Sequence, residues 1–342
     1  MRKRAIRLLL VVIILLAYGA ANALDAQGLP GEAAEKDGWH FDEKGFLSGG
    51  SNPGPAYLLE DEENGIWQYA SRDLSIRIVR FREQYNRQKV REYYVADIWA
   101  SANSPMKTIL TPATKTRPKG VRSVDPEKLV EENPCVFALS DDYFGTRQEL
   151  LMDGKSNRQP GIIIRNGEIL WSKTKKKDSK YGRNRPCLDT LAVYEDGSMG
   201  AYVSDEMTAE EYLEKGARQV FSFGPWLIHE GKINEAEATE GCGYYEQMEP
   251  LVGLGMVEPY HYIAVVIRGR PEDQYAGAHL SWMADKLMEY GCTEALNLDG
   301  GGTALMMFNG KVIVSGQAGS RLRQLGSMIV FGLDPDVVEP GK

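Results

Sequence analysis

Asn297-Leu298-Asp299-Gly300-Gly301-Gly302-Thr303 runs directly into Ala304-Leu305-Met306-Met307-Phe308, then Asn309-Gly310, then Lys311-Val312-Ile313-Val314. Asn-Gly between two apolar runs is a strong short-range signal for a tight β-hairpin. Ahead of it, Ala295-Leu296-Asn297-Leu298 reads as a short buried strand. Further upstream Leu280, Met283, Ala284 and Leu287 recur at helical spacing, and Gly291 stands where such a helix would stop. The order is therefore helix, strand, glycine bend, hairpin. Asp299 is delivered by a strand end onto Gly300, Gly301 and Gly302, which lack the Cβ that would keep a ligand away from the backbone. A tight bend with Asp in an ordinary turn role is the competing reading. No Gly-Lys-Ser/Thr follows and the next element is a strand, which disfavours a nucleotide-phosphate loop.

The same punctuation recurs along the chain. Asn166-Gly167, Asp196-Gly197 and Glu230-Gly231 each separate short apolar runs, as Asn309-Gly310 does, and predict antiparallel hairpins. Helices are fewer: one over 209–215 behind the capping candidate Thr208, one over 280–290, and one opened by Asp125-Pro126-Glu127 and running to Glu131. The expected class is α+β: a strand-rich mixed-sheet scaffold with several short hairpins and a few helices, forming a single catalytic domain.

Arg2, Lys3, Arg4 and Arg7 precede an uncharged apolar run, and Ala21-Asn22-Ala23 fits a small-residue cleavage site. This layout predicts export by a signal peptide over residues 1–23, with a membrane tether as the alternative. Residues 24–55 read as a linker, 56–335 as the domain and 336–342 as a tail. Removing residues 1–23 takes away those four positive charges and no negative ones, leaving 36 Lys+Arg against 48 Asp+Glu, a net charge of −12. That balance argues against nucleic acid as a partner. Cys135, Cys187, Cys242 and Cys292 contain no C-x-x-C pair, and His40, His229, His261 and His279 show no metal spacing. No cofactor is evident; a lone divalent ion on Asp142 or Asp299 is compatible with the sequence. The basic run from Lys173 to Arg185 reads as a solvated loop, or as a rim for an anionic glycopolymer. Lys115, Arg117, Lys119 and Arg122 form a second, sparser basic stretch.

From about Tyr57 to Gly332 the chain resembles the phosphodiester glycosidase family. The resemblance is carried, in order, by Tyr94-Val95-Ala96-Asp97-Ile98, by residues 137–145 ending in Asp141-Asp142-Tyr143-Phe144-Gly145, and by Gly161-Ile162-Ile163-Ile164-Arg165-Asn166-Gly167. Ser222-Phe223-Gly224-Pro225-Trp226, Gly253-Leu254-Gly255, Gly269-Arg270, the Asp299 block and Arg323 follow. The resemblance implies cleavage between a sugar's anomeric carbon and a phosphodiester oxygen, with a sugar-phosphate glycan or glycopolymer as the partner. It implies Asp299 and Asp142 as catalytic carboxylates, Arg270 and Arg323 as phosphate holders, and Gly300, Gly301, Gly302, Thr303, Ser222 and Gly224 as substrate contacts. The residue types suit that chemistry: a guanidinium fork matches phosphate oxygens, and carboxylates steady a cationic sugar-like transition state. Phe223 and Trp226 offer flat faces for a sugar ring or for the core. Three positions depart from the pattern: Ser140 stands where many relatives have Asn, Leu251 where Arg is common, and Arg268 where Asp is frequent. They make credible one rival, a degenerate glycopolymer-binding protein on the same scaffold; a second rival, an O-glycosidase acting on a neutral glycoside, should not need Arg270 or Arg323.

Overall fold

The computed structural model describes residues 34–112, 122–154, 159–173, 187–235, 248–270, 274–317 and 321–333. The N-terminal apolar segment, the 173–185 basic run beyond Lys173, Lys115, Arg117, Lys119 and Cys242 lie outside the described residues.

Strands dominate, and every pairing between the named strands is antiparallel. A nine-stranded sheet runs in the order Lys232–Ile233, Trp226–His229, Glu294–Leu298, Leu251–Glu258, His261–Ile267, Val90–Ala100, Leu74–Gln84, Ile66–Ala70, Tyr57–Asp61. One five-stranded sheet has the order Lys311–Ser315, Leu305–Phe308, Cys135–Ser140, Ser327–Leu333, Lys107–Leu110. The other is ordered Glu168–Lys173, Gly161–Arg165, Ala217–Phe223, Asp189–Tyr194, Met199–Tyr202. The four predicted hairpins are all present. In three of them both turn residues have positive φ (Asn166 and Gly167, Glu230 and Gly231, Asn309 and Gly310), the geometry that matches the twist of paired strands.

One apolar cluster joins the three sheets. Val252, Leu254, Leu296 and Leu298 of the large sheet meet Phe137, Leu139, Met306, Phe308 and Phe331 of the first small sheet and Leu191, Val193 and Phe221 of the second. Helix Leu280–Glu289 covers the opposite face of the large sheet, burying Leu280, Met283, Ala284 and Leu287, the positions its periodicity marks. Burying a large apolar side chain of this kind contributes about 1.5–3 kcal/mol. Gly253 and Gly255 let that packing close: a Cβ there would meet Met283 Sδ at 2.6 Å and Cys292 Sγ at 2.8 Å. The Gly-Leu-Gly block thus serves helix–sheet contact. Helices Pro126–Glu132 and Ala209–Glu214 cover the smaller sheets. The first is capped by Asp125; the second starts in a capping box of Thr208 and Glu211.

Two features differ from the sequence expectation. Residues 34–41, assigned to the linker, form a hairpin whose Phe41 packs with Leu47 on Tyr57 and Ala70. A further helix, Phe144–Met152, follows the Asp141-Asp142 strand end.

Candidate active site

Two acidic strand ends approach each other where the large sheet meets the first small one. Strand Glu294–Leu298 ends in Asp299, strand Cys135–Ser140 ends in Asp141 and Asp142, and the Asp299 amide donates to Asp141 O at 3.3 Å. After Asp299 the chain makes a 3₁₀ turn over Gly301–Thr303, held by Gly301 N donating to Pro250 O at 2.7 Å. A Cβ at Gly300 would run into Pro250 O, so the turn presses backbone against backbone there.

This turn floors a cleft of about 260 Å³, near the lower end of small-molecule sites. Its lining includes Asp299, Gly300, Gly301, Gly302, Arg270 and Arg323, brought together from three regions of the chain. Phe223, Glu249, Leu251 and Asn297 complete the parts of the wall with chemical or steric consequence. Arg270 Nη1 lies 3.1 Å from Glu249 Oε2. Arg323 Nη1 donates to Thr303 Oγ1 at 3.0 Å, and the Thr303 hydroxyl in turn bonds the Asp299 carboxylate. Thr303 thereby links a cation and an anion of the same cleft. Burial pushes the Asp299 carboxyl up to about 6, against the opposing pull of the Thr303 hydrogen bond, Arg147 and Arg323.

Asp142 and Ser222 stand behind this wall rather than on it. Asp142 is fully buried: Oδ1 accepts from Arg165 Nη2 at 2.8 Å and from Phe144 N at 3.2 Å, and Oδ2 accepts from Ser222 N at 2.8 Å. Both oxygens of the expected second carboxylate are engaged by protein. The Ser222 hydroxyl, expected to meet substrate, donates to Ile162 O at 2.7 Å. Gly224 also sits one layer back, at φ 82, where a Cβ would lie 2.9 Å from Asp189 Cβ. Its carbonyl accepts from Asn297 Nδ2 at 2.9 Å. Of the two aromatics in that block, Phe223 reaches the cleft while Trp226 packs against the core.

The three departures also find their places. The Ser140 hydroxyl accepts from Leu305 N at 3.1 Å, tying two strands of one sheet. Leu251 contributes apolar lining to the cleft. Arg268 faces away, 3.4 Å from the buried Glu92 and over the Tyr275 ring, so its charge is directed to Glu92.

Several functional candidates escape a reading of the sequence. Arg147, from the Phe144–Met152 helix, is almost wholly buried between the two acidic strand ends. It donates to Pro160 O, Asp142 O and Ser222 O at 2.7–2.9 Å, and Asp142 and Asp299 both oppose the downward push of burial on its guanidinium. Asn297 and Glu249 join the cleft only through the folding of distant strands. Asn297 carried one available signal: it is a polar residue two positions before Asp299, within the run Ala295-Leu296-Asn297-Leu298. Among the described residues, no group of three or more His, Cys, Asp or Glu side chains is arranged to hold a metal ion. Cys135 and Cys292 are buried free thiols.

The comparisons agree with this architecture. The catalytic domain of zebrafish N-acetylglucosamine-1-phosphodiester alpha-N-acetylglucosaminidase, auto-inhibited by its pro-peptide, superposes with a TM-score of 0.54 at 17% identity, over 81% of this chain and 87% of that one. A curated relative, the SPbeta prophage-derived uncharacterized protein YomE of Bacillus subtilis (strain 168), is 25% identical over 236 residues, or 65% of this chain. The match spans 33% of that relative's length. The family model for phosphodiester glycosidases matches residues 133–332, a span that holds both acidic strand ends, Arg270, the glycine turn and Arg323, and the chain belongs to that family.

Proposed function

We propose that the protein is an exported hydrolase that cleaves the bond between a sugar's anomeric carbon and a phosphodiester in surface or extracellular glycans. The observation that carries this reading is the charge pattern of one cleft: Asp299 at its floor, with Arg270 and Arg323 on the same lining. An enzyme for neutral glycosides has no use for two guanidinium groups, whereas a phosphodiester offers them two anionic oxygens. The leaving phosphomonoester has a second pKa near 6 and departs with little help from a proton. The demand on the protein is then to hold the phosphate and to meet positive charge growing at the anomeric carbon.

Asp299 supplies that negative charge once ionised. Its carboxyl, raised to about 6, is ionised at neutral pH while keeping an affinity for protons that suits a nucleophile or a base for water. Thr303 orients one face of it, and the Gly300–Gly302 backbone leaves room for the sugar. Arg323 reaches Thr303 and Arg270 reaches Glu249, so each guanidinium is aimed by a neighbour before substrate arrives. Phe223 offers the sugar ring an apolar surface. Glu249 is the other carboxylate on the lining, and it balances Arg270 when no phosphate is bound. Export is supported by the basic start and the apolar run before Ala23.

Incubation of the purified protein with sugar 1-(methyl phosphate) diesters and with neutral methyl glycosides, measuring free sugar and phosphomonoester, tests the reading. Release of sugar from the diesters alone is the expected result. Cleavage of the neutral glycosides, or binding of the diesters without turnover, would replace it with one of the rivals.

A further inference from the structure

Asn297 is 5% exposed and is one of the residues that line the cleft with Asp299. Leu298 between them turns the other way, into the core, as alternation along a strand requires. Two residues of strand separate the Asn297 and Asp299 backbones by about 6–7 Å, so their side chains address neighbouring parts of one ligand.

The orientation of the Asn297 amide is fixed by its partners. Nδ2 donates to Gly224 O at 2.9 Å, and the backbone on either side is pinned by Asn297 N to Pro225 O and Gly224 N to Asn297 O, both at 3.1 Å. Reversing the amide would set its oxygen against the Gly224 carbonyl, acceptor facing acceptor. Oδ1 is therefore an obligatory acceptor, and it makes no hydrogen bond among the described residues. A buried carbonyl without a partner is costly, and a ligand O–H or N–H relieves that cost.

We propose that Asn297 Oδ1 reads the substituent on the sugar carbon next to the anomeric carbon, accepting a hydrogen bond from its hydroxyl or acylamino N–H. This rests on the reading of Asp299 as the group facing the anomeric carbon. The ring oxygen and the phosphodiester oxygens also border that carbon, but they only accept and would meet Oδ1 with no proton between them. The C2 substituent is the nearest donor. A contact there strengthens as the anomeric carbon becomes cationic and the C2 donor more acidic, so Asn297 contributes to selectivity and to rate together.

The test uses wild-type protein and Asn297→Ala with the methyl phosphodiesters of glucose and N-acetylglucosamine and the 2-deoxy and 2-fluoro analogues of the glucose compound. Fluorine withdraws electrons from the reacting carbon and slows its ionisation, whereas hydrogen at C2 speeds it, so each compound is read as the ratio of wild-type to Asn297→Ala kcat/KM, in which the intrinsic change cancels. The expected ratio is roughly ten- to a hundredfold on the parents and near one on both analogues. A ratio near one on the parents would overturn the proposal. So would an Asn297→Ala variant that loses the same factor on every compound, the signature of a purely structural role. Calorimetric affinities keep the two readings apart: a parent that is bound but not cleaved defeats the glycosidase reading, while a tenfold preference over its 2-deoxy form still upholds the Asn297 contact. Failure to bind any parent overturns both.

Discussion

The chain ends two neighbouring strands in aspartate and treats the two ends in opposite ways. After Ser140, Asp141 and Asp142 are roofed by the Phe144–Met152 helix and matched against Arg165 and Arg147 in the interior. After Leu298, Asp299 is followed by three glycines, which leave it at the floor of an open cleft. An apolar strand followed by Asp looks the same in both places. The difference is made by what comes next: a helix whose side chains close over the carboxylates, or a turn with no side chains to do so. The closed pair builds the wall, and the open one meets the ligand. Burial raises the carboxyls of both Asp141 and Asp299; the Asp142 carboxylate adds to the push at both, as the second-largest cause at Asp141 and the smallest at Asp299.

Four substitutions probe that division. Asp299→Asn should lower turnover on a sugar phosphodiester by roughly a hundredfold or more, the scale of a lost catalytic carboxylate. Its melting temperature should hold or rise, because the folded state no longer contains a carboxylate that burial disfavours. The sign follows from linkage: with a folded pKa near 6 and an ordinary value of 3.8, the group is neutral in both states at low pH. As pH rises from about 4 to 6 the unfolded chain ionises first, and folding loses up to about 3 kcal/mol, constant above 6. Asp142→Asn is the counterpart, leaving Arg165 without its closest carboxylate. It should cost about 3–5 kcal/mol in urea unfolding. Equal stability of the two variants would dissolve the contrast. Gly300→Ala, which forces a methyl group onto Pro250 O, should cost about 1–3 kcal/mol and depress turnover by displacing Asp299. Arg270→Lys keeps the charge and loses the fork, so KM for the diester should rise by roughly tenfold or less, with the melting temperature unchanged.

Much of this architecture was legible because it rests on local rules. Asn-Gly turns fix hairpins within a few residues, and helix Leu280–Glu289 shows its buried stripe in four regularly spaced positions. Asp299, Arg270, Arg323 and Gly300–Gly302 were legible as cleft residues through the family resemblance; Thr303, expected as a substrate contact, is instead buried off the lining, between Arg323 and Asp299. The Phe144–Met152 helix was not, since its residues have no clean apolar stripe: Phe144 and Gln148 are buried while Leu150 and Met152 are exposed. With that helix unseen, Asp142 could not be told from Asp299, and Arg147 had no reason to enter the account. Asn297 and Glu249 depend on strands far apart in the chain arriving at one mouth. The Ser222 hydroxyl turns back to Ile162 for a similar reason: Ala217–Phe223 lies beside Gly161–Arg165 in their sheet, a pairing that no local signal announces.

The central claim is that one carboxylate, Asp299, must be ionised for the reaction, and the pH dependence of kcat/KM for a sugar 1-(methyl phosphate) diester tests it most directly. The diester itself has no ionisation between pH 4 and 8, so any limb in that range belongs to the protein. The account predicts a plateau above about pH 6 and a tenfold fall per pH unit below it, from the Asp299 carboxyl raised to about 6. A profile that stays flat down to pH 4 would contradict it.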